Sequence, residues 1–388
     1  MESPVSLYLH IPFCRSKCTY CAFNTYIKLE HLIPQFVNAL INEIRIVGLS
    51  KPGQTVHSVF FGGGTPSLLD PQHVEQILTC IRENYILTED AEITLEANPN
   101  DITRTYTQAL YRAGINRLSL GVQSANSNEL KLFARRHDND EVAQAVAAAR
   151  SAGFRSLNID LIYGIPHQTL DGWQWTLDQI GALQPDHLSL YALGLEPGTP
   201  MNDWVQQGQL PLPDDDLAAD MYELATDNLA DKGYIQYEIS NWAKPSHDCR
   251  HNLQYWRNLP YLGFGPGAHG YAGGVRYWTI LSPQRYIKVM ENAEIETWTY
   301  PLTPATDESV NVDLNDEISE TLIMGLRLTQ EGINRSTFAA RFEQDLLDIH
   351  KPTIERFEDL GLLEINSQQV RLTRRGRLLS NAIFRELV

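Results

Sequence analysis

The chain has 388 residues and a formal charge of −17, with 31 Lys plus Arg against 48 Asp plus Glu. Its 43% apolar and 20% charged side chains, with 25 Gly and 20 Pro, are ordinary for a globular protein and exclude collagenous and low-complexity chains. The acidic balance disfavours partners held mainly through phosphates, so neither nucleic acid nor anionic membrane is expected.

At ~150 residues per domain the length allows two or three domains. No run of ~18 apolar residues suggests a membrane span. The opening MESPVSLYLHIPFC lacks the basic and apolar regions of a signal peptide, so a cytoplasmic protein is expected.

Six β-rich runs recur in chain order: VSLYLHI (5–11), TVHSVFF (55–61), AEITLEA (91–97), RLSLGVQ (117–123), SLNIDLIYG (156–164) and HLSLYAL (187–193). Between them, PQFVNALINEIRIVGL repeats apolar residues at helical spacing, while PQHVEQILTCI, DNDEVAQAVAAARSAG and DGWQWTLDQIGAL start on Pro or acidic signals. Strand and helix in alternation predict parallel pairing and an α/β fold. The expected form is a partial (β/α)6 TIM-like barrel, with a complete (β/α)8 barrel as the alternative. Either way, chemistry belongs at the C-terminal ends of the strands.

A helix over about 214–232 and the run YIQYEIS lead into a loop-rich stretch, NWAKPSHDCRHNLQYWRNLPYLGFGPGAHGYAGG. Its Trp, Tyr, His and Gly suit either the lining of a flat ligand or an aromatic cap on the barrel. Residues 293–315 are acidic, contain Pro and Thr, and read as a connector. The remainder reads as three helices, a short hairpin (LLEINSQQVRLT) and a helix, a smaller, mostly helical, winged-helix-like arrangement. Arg371, Arg374, Arg375 and Arg377 fall there and are expected on a solvated face rather than on DNA. The expected divisions are 1–233, a barrel; 234–300, an aromatic and His-rich extension; and 301–388, the C-terminal domain.

Of five cysteines, Cys14, Cys18 and Cys21 form C-x3-C-x2-C just after the first strand, while Cys80 and Cys249 stand alone. An odd, clustered set argues for a metal site over a disulfide framework. Three thiolates at this spacing can each ligate one iron of a [4Fe-4S] cluster and leave the fourth iron open. Structural zinc wants four protein ligands, and the nearest histidine, His10, lies on the incoming strand.

YLHIPFCRSKCTYCAF resembles the cluster loop of the radical S-adenosylmethionine (SAM) superfamily. The resemblance implies that SAM chelates the open iron and that a reduced cluster, supplied by an electron donor, cleaves it to a 5′-deoxyadenosyl radical. Tyr20 then corresponds to the aromatic residue beside the adenine. Gly63, Gly64 and Thr65, after the second strand, match the turn that holds the methionyl amino group, and glycines let backbone approach a ligand. Glu96, in LEANP, can accept from both ribose hydroxyls. A longer pattern resembles oxygen-independent coproporphyrinogen III dehydrogenase and its relatives, and matches Tyr8, Gln123, Arg135, Asp160 and Ala192 as further SAM-binding positions. Asp160, inside LNIDLIYG, needs a hydrogen-bonding partner if buried.

Three features separate the branches of that family. The dehydrogenase branch reads C-x3-C-x2-C-x-C, whereas Phe23 stands at the last position here. Only 13 residues precede Cys14, where that branch carries an N-terminal arm. Finally, His251, Asn252, Tyr255 and Trp256 spell H-N-x-x-Y-W, which resembles the HemW-type haem chaperones. That resemblance implies haem, or a related tetrapyrrole, ligated at its iron by His251 and faced by Tyr255 and Trp256. His247, His269 and Cys249 lie close enough in sequence to substitute. The expected function is haem uptake and transfer to an acceptor haem protein such as a respiratory enzyme. The alternative is oxidative decarboxylation of coproporphyrinogen III by a radical SAM enzyme.

Overall fold

Six parallel strands carry the fold: β1 (Val5–Ile11), β2 (Thr55–Gly63), β3 (Ile86–Ala97), β4 (Arg117–Gln123), β5 (Ser156–Tyr163) and β6 (His187–Ala192). They pair in chain order, each parallel to the next, in a computed structural model that describes residues 4–291, 293–294 and 298–387. The connecting helices include α1 (Ile33–Ser50), α2 (Pro71–Asn84), α3 (Arg104–Ala113), α4 (Asn139–Ala152), α5 (Leu170–Ala182) and α6 (Asp215–Asp231). Several begin where polar side chains can satisfy free backbone N–H groups: Asp70 accepts from Gln72, Thr169 from Gly172, and Asp138 forms a capping box with Glu141. The partial (β/α)6 barrel is therefore the architecture observed.

Strand alternation divides the barrel into two environments. Leu7 and Leu9, Val59 and Phe61, Leu118 and Leu120, and Leu188 and Leu190 are buried in the apolar core that the helices share. The alternate positions are polar: Ser6 pairs with Ser58, Glu96 with Ser119, Asn158 with His187, and Asp160 with Ser189. The barrel interior is thus a polar column inside an apolar shell. Glu30–Ser50 is a helical stretch long and apolar enough to cross a bilayer, but Phe36, Leu40, Ile44 and Val47 within it are buried in the shell.

The stretch 234–279 is not simply loop. It supplies β7 (Ile235–Glu238) and β8 (Asn241–Ala243), which extend the sheet antiparallel beyond β6. It also supplies β9 (Tyr261–Phe264), parallel to β1, followed by the antiparallel strands β10 (His269–Ala272) and β11 (Val275–Thr279). The outermost strand, β12 (Thr306–Asn311), lies within the segment expected to be a connector; residues 295–297 of that segment lie outside the described residues. The sheet order is β12-β11-β10-β9-β1-β2-β3-β4-β5-β6-β8-β7. Sequence periodicity missed these strands because they are short and interrupted by glycine and proline, as edge strands commonly are.

Between β8 and β9 lies a helix, α7 (Arg250–Trp256). A separate core built on Ile318, Leu322, Phe338, Phe357 and Leu372 defines the mostly helical C-terminal part, which opens with α8 (Leu314–Leu326) and contains a three-stranded sheet. That part is fastened to the β7 edge by backbone bonds from Ile239 N–H to Arg327 O and from Thr329 N–H to Tyr237 O. The four arginines singled out in its sequence, Arg371, Arg374, Arg375 and Arg377, are engaged within the chain. Arg371 pairs with Glu364, Arg374 with Glu223 and Asp227, Arg377 bonds Gln236, and Arg375 reaches the carbonyl of Leu360.

Candidate functional site

The cysteine loop leaves β1 at the C-terminal end of the barrel, where Phe13–Cys14 pairs with Tyr26–Ile27. Thr19 fastens the loop to the segment after β4, its hydroxyl donating to Leu132 O at 2.7 Å and its N–H to Phe133 O at 3.4 Å. Tyr20 packs edge-on against Phe133 at 4.7 Å. This anchoring puts Cys14, Cys18 and Cys21 on the wall of one cavity of about 350 Å³. Among the described residues the thiols are not gathered to metal-ligating spacing. Burial raises the Cys14 and Cys21 thiols above their ordinary range, with opposing hydrogen bonds from Thr65 to Cys14 and from the Phe23 backbone to Cys21. Metal binding to such thiols releases protons.

The other expected residues of this site line the same cavity, Tyr8 excepted: Tyr20 on the loop, Gly63, Gly64 and Thr65 after β2, Glu96 on β3, then Gln123, Arg135, Asp160 and Ala192. Thr65 donates to Cys14 Sγ at 3.4 Å, and Arg135 donates to Cys18 Sγ at 3.5 Å and to Asn98 Oδ1 at 2.7 Å. Gln123 closes β4 with a left-handed φ of +74°, a costly conformation for a residue with a Cβ and one that concentrates at functional sites.

Packing within the chain also requires the two glycines. Gly63 has φ +108°, and a Cβ there would stand 2.6 Å from the His10 ring; one on Gly64 would meet Phe13 O at 2.7 Å. Gly63 thus lets β2 pack against His10 of β1, and Gly64 lets it pack against the start of the cysteine loop. The Gly63 N–H in turn donates to Glu96 Oε2 at 3.1 Å.

Glu96 and Asp160 are buried acids. Burial, reinforced by Asp160, pushes Glu96 up to about 8, against the opposing pull of the Gly63 N–H and Arg117. Burial also raises Asp160, which accepts from Asn158 at 2.7 Å and Ser119 at 3.1 Å. Together with Tyr191 these acids line a second chamber of about 160 Å³ beneath the first. Tyr8 belongs to that lower chamber, its hydroxyl 3.0 Å from His10 Nδ1. Arg117, Ser119, Asn158, Ser189 and Tyr191 were not singled out from the sequence. Their signal was the polar residue recurring at every second position of each strand.

The H-N-x-x-Y-W segment does not form an open face. The Glu92 carboxylate caps the start of α7, accepting from the Arg250 and His251 N–H groups at 3.2 and 3.1 Å. His251 is 1% exposed, stacked at 5.0 Å on Phe60, with Nδ1 3.0 Å from Ser58 Oγ and Nε2 2.9 Å from the Tyr255 hydroxyl. Burial depresses its pKa to about 3, so the ring is neutral with both nitrogens engaged. The chamber beside it is smaller than the ~300–1,000 Å³ of ordinary ligand pockets. Trp256 faces away, under the Arg327 guanidinium at 4.4 Å. His251 and Tyr255, expected with Trp256 to seat haem, lie in this conformation at the floor of the barrel and line that chamber. Of the possible substitutes, Cys249 is fully buried with its thiol pushed up to about 12, His247 is half-buried outside the barrel floor, and His269 is exposed on β10.

The radical SAM superfamily profile matches residues 8–180, and the HemN C-terminal domain profile matches residues 312–379. The heme chaperone HemW of Mycobacterium tuberculosis (strain ATCC 25618 / H37Rv) is 36% identical over 99% of this chain and 95% of its own. HemW of Bacillus subtilis (strain 168) is 34% identical over 98% of each. The chain belongs to the HemW family. Among solved structures, the coproporphyrinogen III oxidase HemN of Escherichia coli superposes with a TM-score of 0.84 at 26% identity, covering 100% of this chain and 90% of HemN. HemW family membership thus joins the barrel, the cysteine loop and the C-terminal part in one known architecture, as the sequence resemblance implied.

Proposed function

We propose that the chain is a haem chaperone, binding haem and passing it to an acceptor haem protein. The observation that carries this reading is the near full-length relationship to HemW chaperones. In the same proposal Cys14, Cys18 and Cys21 hold a [4Fe-4S] cluster, to which SAM adds as an exchangeable ligand. The chemistry of the donor set supports it: three thiols on one cavity wall, with no fourth cysteine beside them. When bound, cluster and SAM supply one-electron chemistry drawn from an electron donor. The chain's own residues bind and orient. Glu96 accepts from the ribose hydroxyls, Tyr20 flanks the adenine, and Thr65, Gln123, Arg135, Asp160 and Ala192 complete the wall. We assign the barrel to 1–233, its floor and all its edge strands but β12 to 234–300, and the HemN-like part to 301–388, whose first strand, β12, joins the sheet edge.

The likeness to HemN sustains a second reading, radical SAM decarboxylation of coproporphyrinogen III. One anaerobic experiment decides between them. The cluster-reconstituted protein is given haem, or coproporphyrinogen III with SAM and reductant. Haem binding and transfer to an apo-haem protein, without decarboxylation, is the expected result; formation of protoporphyrinogen reverses the assignment.

A further inference from the structure

On the reading that Cys14, Cys18 and Cys21 hold a [4Fe-4S] cluster, on which this rests, we infer that Asn98 is a positioning residue for that cluster. It holds Arg135 so that the guanidinium donates to Cys18, it reaches Cys14 through Thr65, and the two arms together set how readily the cluster accepts an electron. Asn98 is the first residue after β3, two positions beyond Glu96, and opens a short turn over Pro99–Asp101. An Asn at such a place ordinarily bonds the N–H groups of the turn it starts. Asn98 makes no such bond, and it lines the cavity of about 350 Å³ instead. Its backbone is pinned, the N–H donating to Ser67 Oγ at 3.3 Å and that hydroxyl to Asp101 Oδ2 at 2.8 Å.

Donor chemistry fixes which way the amide points. A guanidinium can only donate, so Arg135 Nη2, 2.7 Å away, requires Oδ1 on its side. The amide Nδ2 then faces Thr65 Oγ1 at 3.5 Å, the weaker of the two bonds. Thr65 has a single hydroxyl proton, and with its oxygen turned to an amide donor that proton is left for Cys14 Sγ at 3.4 Å. On the other arm Arg135 Nη2 also donates to Gly121 O. Because the guanidinium is planar and rigid, fixing Nη2 fixes Nη1, which donates to Cys18 Sγ at 3.5 Å. Both arms thus end in a proton directed at a sulfur, and neither takes one from it.

Each arm is tied to the loop that carries its cysteine. The Thr65 N–H donates to Phe13 O at 2.8 Å, one residue before Cys14. The Thr19 hydroxyl, one residue after Cys18, donates to Leu132 O at 2.7 Å, three residues before Arg135. Cys21 is served inside the loop, by the Phe23 N–H. Reduction adds one electron and one negative charge to the cluster, with no bond made or broken. Donors to the ligating sulfurs and a cation beside them favour that more negative state, and such contacts tune iron–sulfur potentials. Without Asn98, Arg135 and Thr65 are free to turn away, so the potential falls while the three cysteines stay in place.

The test is a redox titration of the full-length, cluster-reconstituted protein, followed by electron paramagnetic resonance without SAM, so that SAM contacts of Thr65 and Arg135 do not enter. Iron and sulfide are measured first. Asn98→Leu, of similar size but without the amide, should keep four irons and move the midpoint to more negative potential. At the wild-type midpoint its ratio of reduced to oxidised cluster should fall by about threefold or more, ~28 mV for a one-electron couple. Thr65→Val should shift in the same direction, and Thr65→Ser, which keeps the hydroxyl, should hold the wild-type midpoint. Full iron in Asn98→Leu with an unchanged or less negative midpoint overturns the inference and leaves the cluster reading standing. If Asn98→Leu does not hold four irons, Thr65→Val against Thr65→Ser decides, and equal midpoints in that pair overturn it. Failure of wild type to take up four irons removes both.

Discussion

The two ends of the barrel interior are built from opposite chemistry. At the C-terminal end of the strands, three thiols, a glycine turn and a strained Gln123 surround a cavity of about 350 Å³. At the other end, α7 turns His251, Tyr255 and Gln254 inward and bonds them to Ser58, to one another and to His57. Polar residues fill both, but the open space beside them is about 350 Å³ at the first end and about 160 Å³ at the second. Polar character inside a barrel therefore does not by itself mark a ligand site; polar character around a cavity of ligand size does.

The largest effect expected from this contrast is at the thiols. Replacing Cys14, Cys18 or Cys21 with Ala removes one of three protein ligands and should abolish a stable four-iron cluster. Cys80→Ala and Cys249→Ala should not, since both thiols are buried away from the cavity. Iron and sulfide analysis after anaerobic reconstitution measures this. A full iron complement in Cys18→Ala would show that the cluster is held elsewhere.

At the opposite end the expected loss is of stability. His251→Ala would remove one of the two side-chain partners of Ser58, leave the Tyr255 hydroxyl without its bond to the ring, and open a void under Phe60. By the usual cost of orphaned buried groups and cavities this should destabilise the fold by about 2–4 kcal/mol. Urea denaturation of the protein without haem is the measurement. A midpoint within error of wild type would mean that α7 does not seal the barrel.

Much of this was legible in the sequence. The six barrel strands and the capped helices follow from alternation and from Pro, Asp and Thr at helix starts, and the cysteine spacing was readable directly. Burial was not. The sequence H-N-x-x-Y-W presents a histidine and two aromatic rings at helical spacing, which suits a porphyrin face and a barrel plug equally. Only the partners of Ser58, Phe60 and Glu92, roughly 160 to 190 positions away, separate the two. The glycines carry a similar ambiguity. Gly63 and Gly64 read as a ligand turn and do line the cavity, and the sequence did not show that a Cβ at either would also meet His10 or the backbone of residues 11–13. The edge strands β9–β11 were missed because their short runs depend on long-range pairing with β1, which local periodicity does not carry.

Where the two chambers meet, the effect should be one of pH. Glu96 holds its proton up to about 8, against an ordinary value of 4.5, chiefly because it is buried. The folded chain therefore keeps a proton that the unfolded chain has lost, and stability falls as pH rises from about 4.5 to about 8. Glu96→Gln should flatten that slope, measured by denaturation of the protein without SAM at several pH values. Some slope should persist, because Asp160 is raised in the same direction. An identical slope in wild type and variant would mean that Glu96 is solvated and charged, and that the boundary between the chambers is open to bulk water.

The smallest effect is expected outside the barrel, on the basic surface of the C-terminal part. Arg374 binds Glu223 and Asp227 of α6, but its side chain is 45% exposed and its partners are 32% and 66% exposed. Pairs this open to solvent contribute ~0–1 kcal/mol and are screened by salt. Arg374→Ala should therefore lower the denaturation midpoint only slightly, with the difference shrinking at high salt, and should leave the iron content of the reconstituted protein unchanged. By the same logic these guanidinium groups, already occupied by carboxylates and carbonyls of an acidic chain, are expected to be poor phosphate ligands. A loss of several kcal/mol or of cluster in Arg374→Ala would show that the C-terminal part holds the open end of the barrel in shape, and the contrast between the barrel's two ends would have to include it.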